Sequence, residues 1–216
     1  MIFIVIPAYN EEASVEAVVR KAKKHGKVVV VDDGSSDKTA ERARKAGARV
    51  IRHKRNMGLG SSLRTGLNEA MRTSKKDSDI IITLDGDGQH NPDEIPKFVD
   101  LLDKGYDFVL GKRELFNYPV RKKLGNFILT KITNVMTRTY LIDTESGFRA
   151  FRRIALEGMR LKAKRYEIAV EIIKEIGRNH IRTANVPISS PRYVKGVSVI
   201  DGIKNLLYLF KVVFDL

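Results

Sequence analysis

Two carboxylates stand two residues apart in Asp85-Gly86-Asp87, directly after the apolar run Ile80–Leu84. At the end of a buried strand, that spacing lets both reach one hard cation. Magnesium and manganese take oxygen ligands of this kind and usually bridge phosphates. Gly86 and Gly88 permit a tight turn and a close ligand approach, and Gln89 adds a neutral oxygen. Taken alone, the same residues also make a polar turn that closes a strand. His90, next in line, reads as a supporting or solvent-facing histidine rather than a catalytic group. A second acidic pair, Asp32-Asp33, follows Val28–Val31 and leads into Gly34-Ser35-Ser36-Asp37. Carboxylates there accept hydrogen bonds from a ribose or a base N–H, while Ser36 or Asp37 equally suits the cap of the next helix. The third cluster, Asn56-Met57-Gly58-Leu59-Gly60, is a glycine-rich helix entry of the sort that can bind an anion, although glycines also mark ordinary turns.

These clusters depend on the elements that hold them. Ile2–Ile6, Val28–Val31, Ile80–Leu84 and Phe108–Leu110 are short, β-branched or aromatic runs bounded by turn formers, and they predict buried strands. Val50-Ile51 is a weaker strand signal. Amphipathic spacing predicts helices near Glu11–His25, Asp37–Ala46, Leu59–Thr73 and Pro92–Lys104, the last capped by Asn91. Strands alternating with helices imply an α/β fold with a mostly parallel sheet covered on both faces. Ligands bind such sheets at the C-terminal strand ends. The polar clusters occupy those ends: Pro7-Ala8-Tyr9-Asn10-Glu11 after the first strand, Asp32-Asp33 after the second, and Asp85-Gly86-Asp87-Gly88-Gln89 after the Ile80–Leu84 strand.

The second half of the chain is different in character. Between Gly111 and Tyr140 there are seven Lys or Arg against the single acid Glu114. Leu124, Phe127, Ile128, Ile132, Val135 and Met136 keep helical spacing there, so a basic amphipathic helix is expected. A helix near Tyr166–Ile176 and a strand at Asn185–Ile188 follow. From Val199 a last helix places Ile203, Leu206, Leu207, Phe210 and Val213 on one face. The organisation read from this is a catalytic domain over 1–198 and a C-terminal amphipathic helix over 199–216 suited to a membrane surface or to packing in the core or on a partner.

The net charge of +14 favours anionic partners such as nucleotides, phosphorylated lipids or acidic membrane. With no cysteine, disulfides, thiolate chemistry and a cysteine zinc site are excluded. The apolar run at Met1–Ile6 is too short for a signal peptide, and no stretch approaches the ~20 apolar residues of a spanning helix. The expectation is a cytoplasmic protein, peripheral on the cytoplasmic face of the membrane. A nucleic-acid-binding role is disfavoured by the lack of a recognition motif and of tryptophan.

In order and spacing, the four motifs Pro7-Ala8-Tyr9-Asn10-Glu11-Glu12, Val31-Asp32-Asp33-Gly34-Ser35, Asn56-Met57-Gly58-Leu59-Gly60 and Asp85-Gly86-Asp87-Gly88-Gln89 resemble the family 2 glycosyltransferases over nearly the whole chain. The resemblance is nearest to the polyprenyl-phosphate branch, that of the dolichol-phosphate mannose synthases. Gly111-Lys112-Arg113, Asp143-Thr144-Glu145-Ser146-Gly147-Phe148-Arg149-Ala150 and Val186-Pro187-Ile188 with Arg192 extend it. It implies a GT-A fold and an inverting transfer from a nucleoside diphosphate sugar, GDP-mannose or a UDP-sugar, to a polyprenyl phosphate. By position the family's nucleotide contacts fall on Pro7, Ala8, Tyr9, Glu11, Asp32, Asp33, Asn56, Met57, Gly58, Asp85 and Gly86. Its metal ligands fall on Asp85, Asp87 and Gln89 for Mg2+ or Mn2+, with Asp87 and Arg192 as the catalytic pair at the leaving diphosphate. The acceptor-phosphate arginines fall on Arg113 and Arg121. A membrane surface or a separate membrane subunit is the implied partner, and a non-lipid glycan acceptor the alternative. The chain departs from the branch at Gly125 (a serine there), Val199 (a lysine) and Asn185 (an acid). A haloacid-dehalogenase phosphatase also uses Asp-x-Asp, but its acidic pair comes after that motif, whereas Asp32-Asp33 precedes Asp85.

Overall fold

The computed structural model describes residues 1–114, 118–189 and 199–213. The chain runs β1 (Ile2–Ala8), α1 (Val15–Ala22), β2 (Lys27–Asp32), α2 (Thr39–Lys45), β3 (Arg49–Arg52), α3 (Leu59–Thr73) and β4 (Ile80–Thr83). A 3-10 turn at Pro92–Glu94 leads into α4 (Ile95–Asp103), followed by β5 (Phe108–Arg113) and α5 (Val120–Thr137). Then come β6 (Arg149–Arg152), α6 (Arg153–Glu157), α7 (Ile168–Arg178), β7 (Thr183–Ile188) and α8 (Val199–Val213).

The seven strands form one sheet in the order β3-β2-β1-β4-β6-β5-β7. All neighbours are parallel except at β6, which runs antiparallel to both β4 and β5. β1 sits at the centre of its parallel half and is apolar almost throughout, as a strand covered on both faces requires. Its alternate residues feed two cores. Ile4 and Ile6 join Val28, Val30 and Ile82 under α1 and α4. Phe3 and Val5 join Ile81, Phe108 and Phe151 under α3 and α7. Helix α3 rides close on the sheet, because a Cβ on Gly66 would overlap Val5 Cγ1 and stand 3.2 Å from Val31 Cγ2.

The expected strands and helices are present, and the Asn91 side chain accepts from the Asp93 N–H as a cap does. Two short elements, β6 and α6, were not visible in the pattern. Helix α5 also buries an unexpected face. Thr130, Thr133 and Thr137 are buried, while Leu124, Phe127, Ile128 and Val135 are exposed. Two of the threonines make hydroxyl contacts, Thr130 to Thr144 at 3.1 Å and Thr137 to Thr139 at 2.9 Å, while Thr133 Oγ1 has no hydrogen-bond partner among the described residues. Helix α8 packs against α5 and α7. Its Asn205 and Leu209 are fully buried, with Ile203, Leu207 and Phe210 on the outside.

Candidate active site

The C-terminal ends of β1, β2 and β4 are stitched together by their own backbone and short polar side chains. The Asp33 N–H donates to the Ala8 carbonyl at 2.9 Å. The Asn10 N–H donates to Ser35 Oγ, and Asn10 Oδ1 accepts the Ser36 N–H, both at 2.9 Å. Ser14 Oγ donates to the Gly86 carbonyl at 2.7 Å, which ties the Asp85–Asp87 turn to the start of α1. Asp37 accepts the Thr39 N–H at 2.9 Å from one residue ahead of Lys38, which holds the N-cap position of α2 in place of the Ser36 or Asp37 expected there.

Asp33 anchors the glycine-rich loop. Its Oδ1 accepts the Met57 N–H at 3.0 Å and meets His53 Nδ1 at 2.7 Å, and its Oδ2 accepts the Gly58 N–H at 2.8 Å. Gly58 has φ +94, and its missing Cβ leaves room for the Lys164 carbonyl. That carbonyl accepts the Ser61 N–H at 3.1 Å. The loop before α7 is therefore clamped onto the entry to α3. From below, Glu171 accepts the Lys162 and Ala163 N–H groups at 2.9 and 2.8 Å and the Tyr208 hydroxyl of α8 at 2.8 Å.

These segments enclose a cavity of about 470 Å³. Its lining includes Pro7, Ala8, Tyr9, Glu11, Asp33, Asn56 and Gly58, then Asp85, Gly86, Asp87 and Gln89, and also Arg113, Glu145 and Arg149. Asp85 packs against the loop that carries Gly147. Gly147 makes room for it, since a Cβ there would fall 2.7 Å from Oδ1 and closer still to Oδ2. Burial pushes the Asp85 carboxyl upward, opposed by the charges of Arg149 and Arg113. His90 Nδ1 accepts the Asp85 N–H at 3.2 Å, which leaves the other nitrogen protonated in the neutral ring. Burial lowers His90 to about 4, and its ring lies 5.4 Å from that of Phe148. His90 thus supports the turn as a neutral imidazole. Asp87 accepts from the Gln89 N–H at 2.9 Å and from the Gln89 side-chain amide.

Arg113 is held by Asp143 through two bonds, Nε to Oδ2 at 2.7 Å and one Nη to Oδ1 at 2.8 Å. Asn126 of α5 donates to the same carboxylate at 3.1 Å. Such a fork fixes a guanidinium whose far side is turned to a pocket. Arg149 is 2% exposed, and its Nε has no hydrogen-bond partner among the described residues. Glu145 is pushed up to about 7, first by burial, with Arg149 and Arg113 acting the other way.

Most of the residues singled out in the sequence converge here, but three do not. Asp32 is fully buried behind the cavity, 3.0 Å from Arg52 Nε, and accepts the Ser35 N–H at 3.1 Å. Met57 contributes its backbone to Asp33 and exposes its side chain. Arg121 lies exposed on the first turn of α5, outside the cavity lining. Arg192 falls outside the described residues, as does Ser198. Asn185, where the branch has an acid, accepts the Ile142 N–H at 2.9 Å and donates to the Tyr140 carbonyl at 3.3 Å. Gly125 leaves open space, with nothing among the described residues within 4 Å of a Cβ built there. Sequence reasoning assigned no role to Glu145, Arg149, Arg165 or Tyr166, all of which line the cavity. The first two sit inside a motif already noticed; nothing local marks the other two.

Among the described residues no three His, Asp or Glu side chains gather to hold a metal. The donor set of two carboxylates and an amide oxygen nonetheless fits magnesium or manganese. These ions keep several waters and take one or two carboxylates plus phosphate oxygens.

A model described as glycosyl transferase family 2 matches residues 3–160, from β1 through α6. The chain is 41% identical to an uncharacterized protein of Methanocaldococcus jannaschii, over 96% of this chain and 90% of that one. It is 33% identical to UDP-N-acetylglucosamine--dolichyl-phosphate N-acetylglucosaminyltransferase of Methanococcus voltae, over 94% and 92%. It is 29% identical to dolichol-phosphate mannosyltransferase of Pyrococcus furiosus, over 92% of this chain and 59% of that one. Glucosyl-3-phosphoglycerate synthase from Mycobacterium tuberculosis superposes with a TM-score of 0.77 at 19% identity, over 98% and 79% of the two chains, a likeness of fold. The GT-A architecture implied by the motifs is the one adopted.

Proposed function

The chain belongs to glycosyl transferase family 2, and from that premise we propose that it transfers a sugar from a nucleoside diphosphate sugar to a polyprenyl phosphate with a divalent cation bound at Asp85 and Asp87. The observation that carries this is the presence, within one cavity, of the Asp85 and Asp87 carboxylates and two guanidiniums, Arg113 and Arg149. Carboxylates of that kind suit a cation-bound diphosphate; the guanidiniums suit a second anion. The loop pinned by Asp33 and the strand end at Pro7–Tyr9 take the nucleoside, and Gln89 adds an oxygen at the cation. Magnesium or manganese bound there supplies charge neutralisation on the leaving diphosphate. Arg113, preset by Asp143, orients the acceptor phosphate for in-line attack on the anomeric carbon. Arg192 keeps the diphosphate-contacting role that the resemblance gives it.

The Methanococcus voltae relative is named for a UDP-sugar and dolichyl phosphate, and a Mycobacterium tuberculosis structure of the same fold holds Mn2+ with uridine-diphosphate-glucose. Both support a donor and cation of this class. The surface supports a lipid acceptor. Val120, Leu124, Phe127 and Ile128 form an exposed apolar stripe on α5, and Ile203, Leu207 and Phe210 form another on α8. Lys131 stands over the Phe127 ring at 5.6 Å, and Lys204 and Lys211 are exposed on α8. No helix among the described residues is long and apolar enough to cross a membrane; the two stripes, each with lysines beside it, suit contact with a lipid surface.

The test is a donor panel of GDP-mannose, UDP-glucose and UDP-N-acetylglucosamine, with and without Mn2+, against polyprenyl phosphate in anionic liposomes and against soluble glycans. Metal-stimulated transfer to the lipid phosphate, abolished in Asp87→Ala with the fold intact, is expected. Transfer to soluble glycans alone, or near-normal turnover by the variant, overturns the reading.

A further inference from the structure

The loop between α6 and α7 brings Arg165 and Tyr166 to the cavity lining, and the function proposed above gives neither a role. Both are exposed. Arg113, on the same lining, is committed to Asp143. The Arg165 guanidinium makes no hydrogen bond or ion pair among the described residues. Its backbone, by contrast, is fixed. The Lys164 carbonyl accepts the Ser61 N–H at 3.1 Å, and the Arg165 carbonyl accepts the Ile168 N–H at 3.3 Å. The stem of Arg165 packs over Gly58, with Cγ 3.0 Å from where a Cβ would stand. The next residue, Tyr166, feels Asp85: burial first, then the charges of Asp201 and Asp85, push its hydroxyl upward, with Arg165 acting the other way. The pair therefore bridges from the loop pinned by Asp33 towards the Asp85 carboxylate. In a nucleoside diphosphate laid from that loop to a cation at Asp85, the part in between is the diphosphate.

We infer that Arg165 contacts the donor diphosphate, taking phosphate oxygens that the cation leaves free, and that Glu171 and Tyr208 are its positioning residues. The donor class rests on the function proposed above; the choice of Arg165 comes from its place on the lining and its uncommitted guanidinium. A diphosphate has more anionic oxygens than one magnesium or manganese ion takes, since these ions keep several waters. A guanidinium presents five N–H donors in a planar fork and can grip two such oxygens at once. The positioning starts just before Arg165. Glu171 of α7 accepts the Lys162 and Ala163 N–H groups at 2.9 and 2.8 Å, and the Tyr208 hydroxyl of α8 donates to Glu171 Oε1 at 2.8 Å. A brace thus runs from α8 through α7 to the segment that carries Arg165, and α8 takes part in donor binding without touching the donor.

Calorimetry on the full chain with Mn2+ tests this, with UDP and GDP set against uridine and guanosine, the nucleosides read by competition. Arg165→Ala is expected to weaken diphosphate binding by about 10-fold or more, as loss of a charged hydrogen bond does. Nucleoside affinity and Tm are expected to stay at wild-type values, and diphosphate affinity to fall less steeply with added salt. Arg165→Lys keeps the charge but not the fork, and is expected to recover only part of the loss. Tyr208→Phe is expected to weaken diphosphate binding by about threefold in the wild type and to add nothing in R165A, because it acts through Arg165. Unchanged diphosphate affinity in R165A, or equal losses for diphosphate and nucleoside, overturns the contact. A defect confined to the KM for the acceptor, polyprenyl phosphate or a short alkyl phosphate, does so too, by moving Arg165 to the acceptor. Additive losses in the double variant overturn the positioning role. Failure of the wild type to bind either diphosphate overturns the donor reading and this inference with it.

Discussion

Replacing Gly147 with alanine is a way to displace the proposed cation site without touching a proposed ligand. Gly147 sits on the loop before β6, and its carbonyl accepts Thr83 Oγ1 at 2.8 Å. It is not among the glycines at positive φ, so alanine fits the backbone. The added Cβ would lie 2.7 Å from Asp85 Oδ1 and 2.8 Å from its Cγ, against about 3.4 Å for ordinary contact. Thr83 holds the loop in place and the sheet holds Asp85, so the carboxylate head must give way. Relieving the overlap moves it by roughly 0.7 Å or more in a site where an ångström of misplacement costs about 10²-fold. The expected loss in kcat/KM is therefore about 10²-fold, or about 2.7 kcal/mol. Half-activation is expected at a higher Mn2+ concentration, with the thermal midpoint little changed. Steady-state kinetics across a manganese titration, beside a melting curve, reads both quantities. Wild-type activation by manganese in G147A would refute the placement of Asp85 and the cation role built on it.

Asp33→Asn leaves one of the Met57, Gly58 or His53 donors unmatched in a buried setting, for a loss of about 1–3 kcal/mol in urea unfolding and weaker nucleotide binding by calorimetry; unchanged nucleotide affinity would show that the loop does not contact the donor. His90 is lowered to about 4 in the fold against 6.5 for a free histidine. The unfolded chain therefore binds the extra proton first, and stability falls as pH drops from 6.5 towards 4, by on the order of 3 kcal/mol. Tm measured over that range should show a shallower acid decline in His90→Gln than in the wild type.

How much of this was legible beforehand follows from where the information lies. The motif at Asp85, the pair at Asp32-Asp33 and the loop at Asn56–Gly58 could be placed at strand ends because β1, β2 and β4 are continuous apolar runs, and a parallel sheet directs such ends to one edge. The place of Arg113 in the cavity lining was readable through its motif. Strand β6 was not: Arg-Ala-Phe-Arg is too short and too charged to signal a strand, and it exists because β4 and β5 pair with it on both sides. The faces of α5 were open too, since helical spacing names a stripe but not its direction. Contacts with the 139–144 segment bury the threonines and turn Leu124 and Phe127 outward. Asp32 and Asp33 are adjacent acids of one type. The strand's alternation buries one beside Arg52 and turns the other to the cavity, and the register with β3 decides which. The sequence by itself determined the family, the sheet and the strand-end clusters at Asp33 and Asp85, because these rest on residues near one another in the chain. Only the tertiary structure brought Glu145, Arg149 and Asn205 together. Asn205 lies 60 positions from Glu145, and a contact over that distance is set by how α8 packs on α5 and α7, which no local spacing encodes.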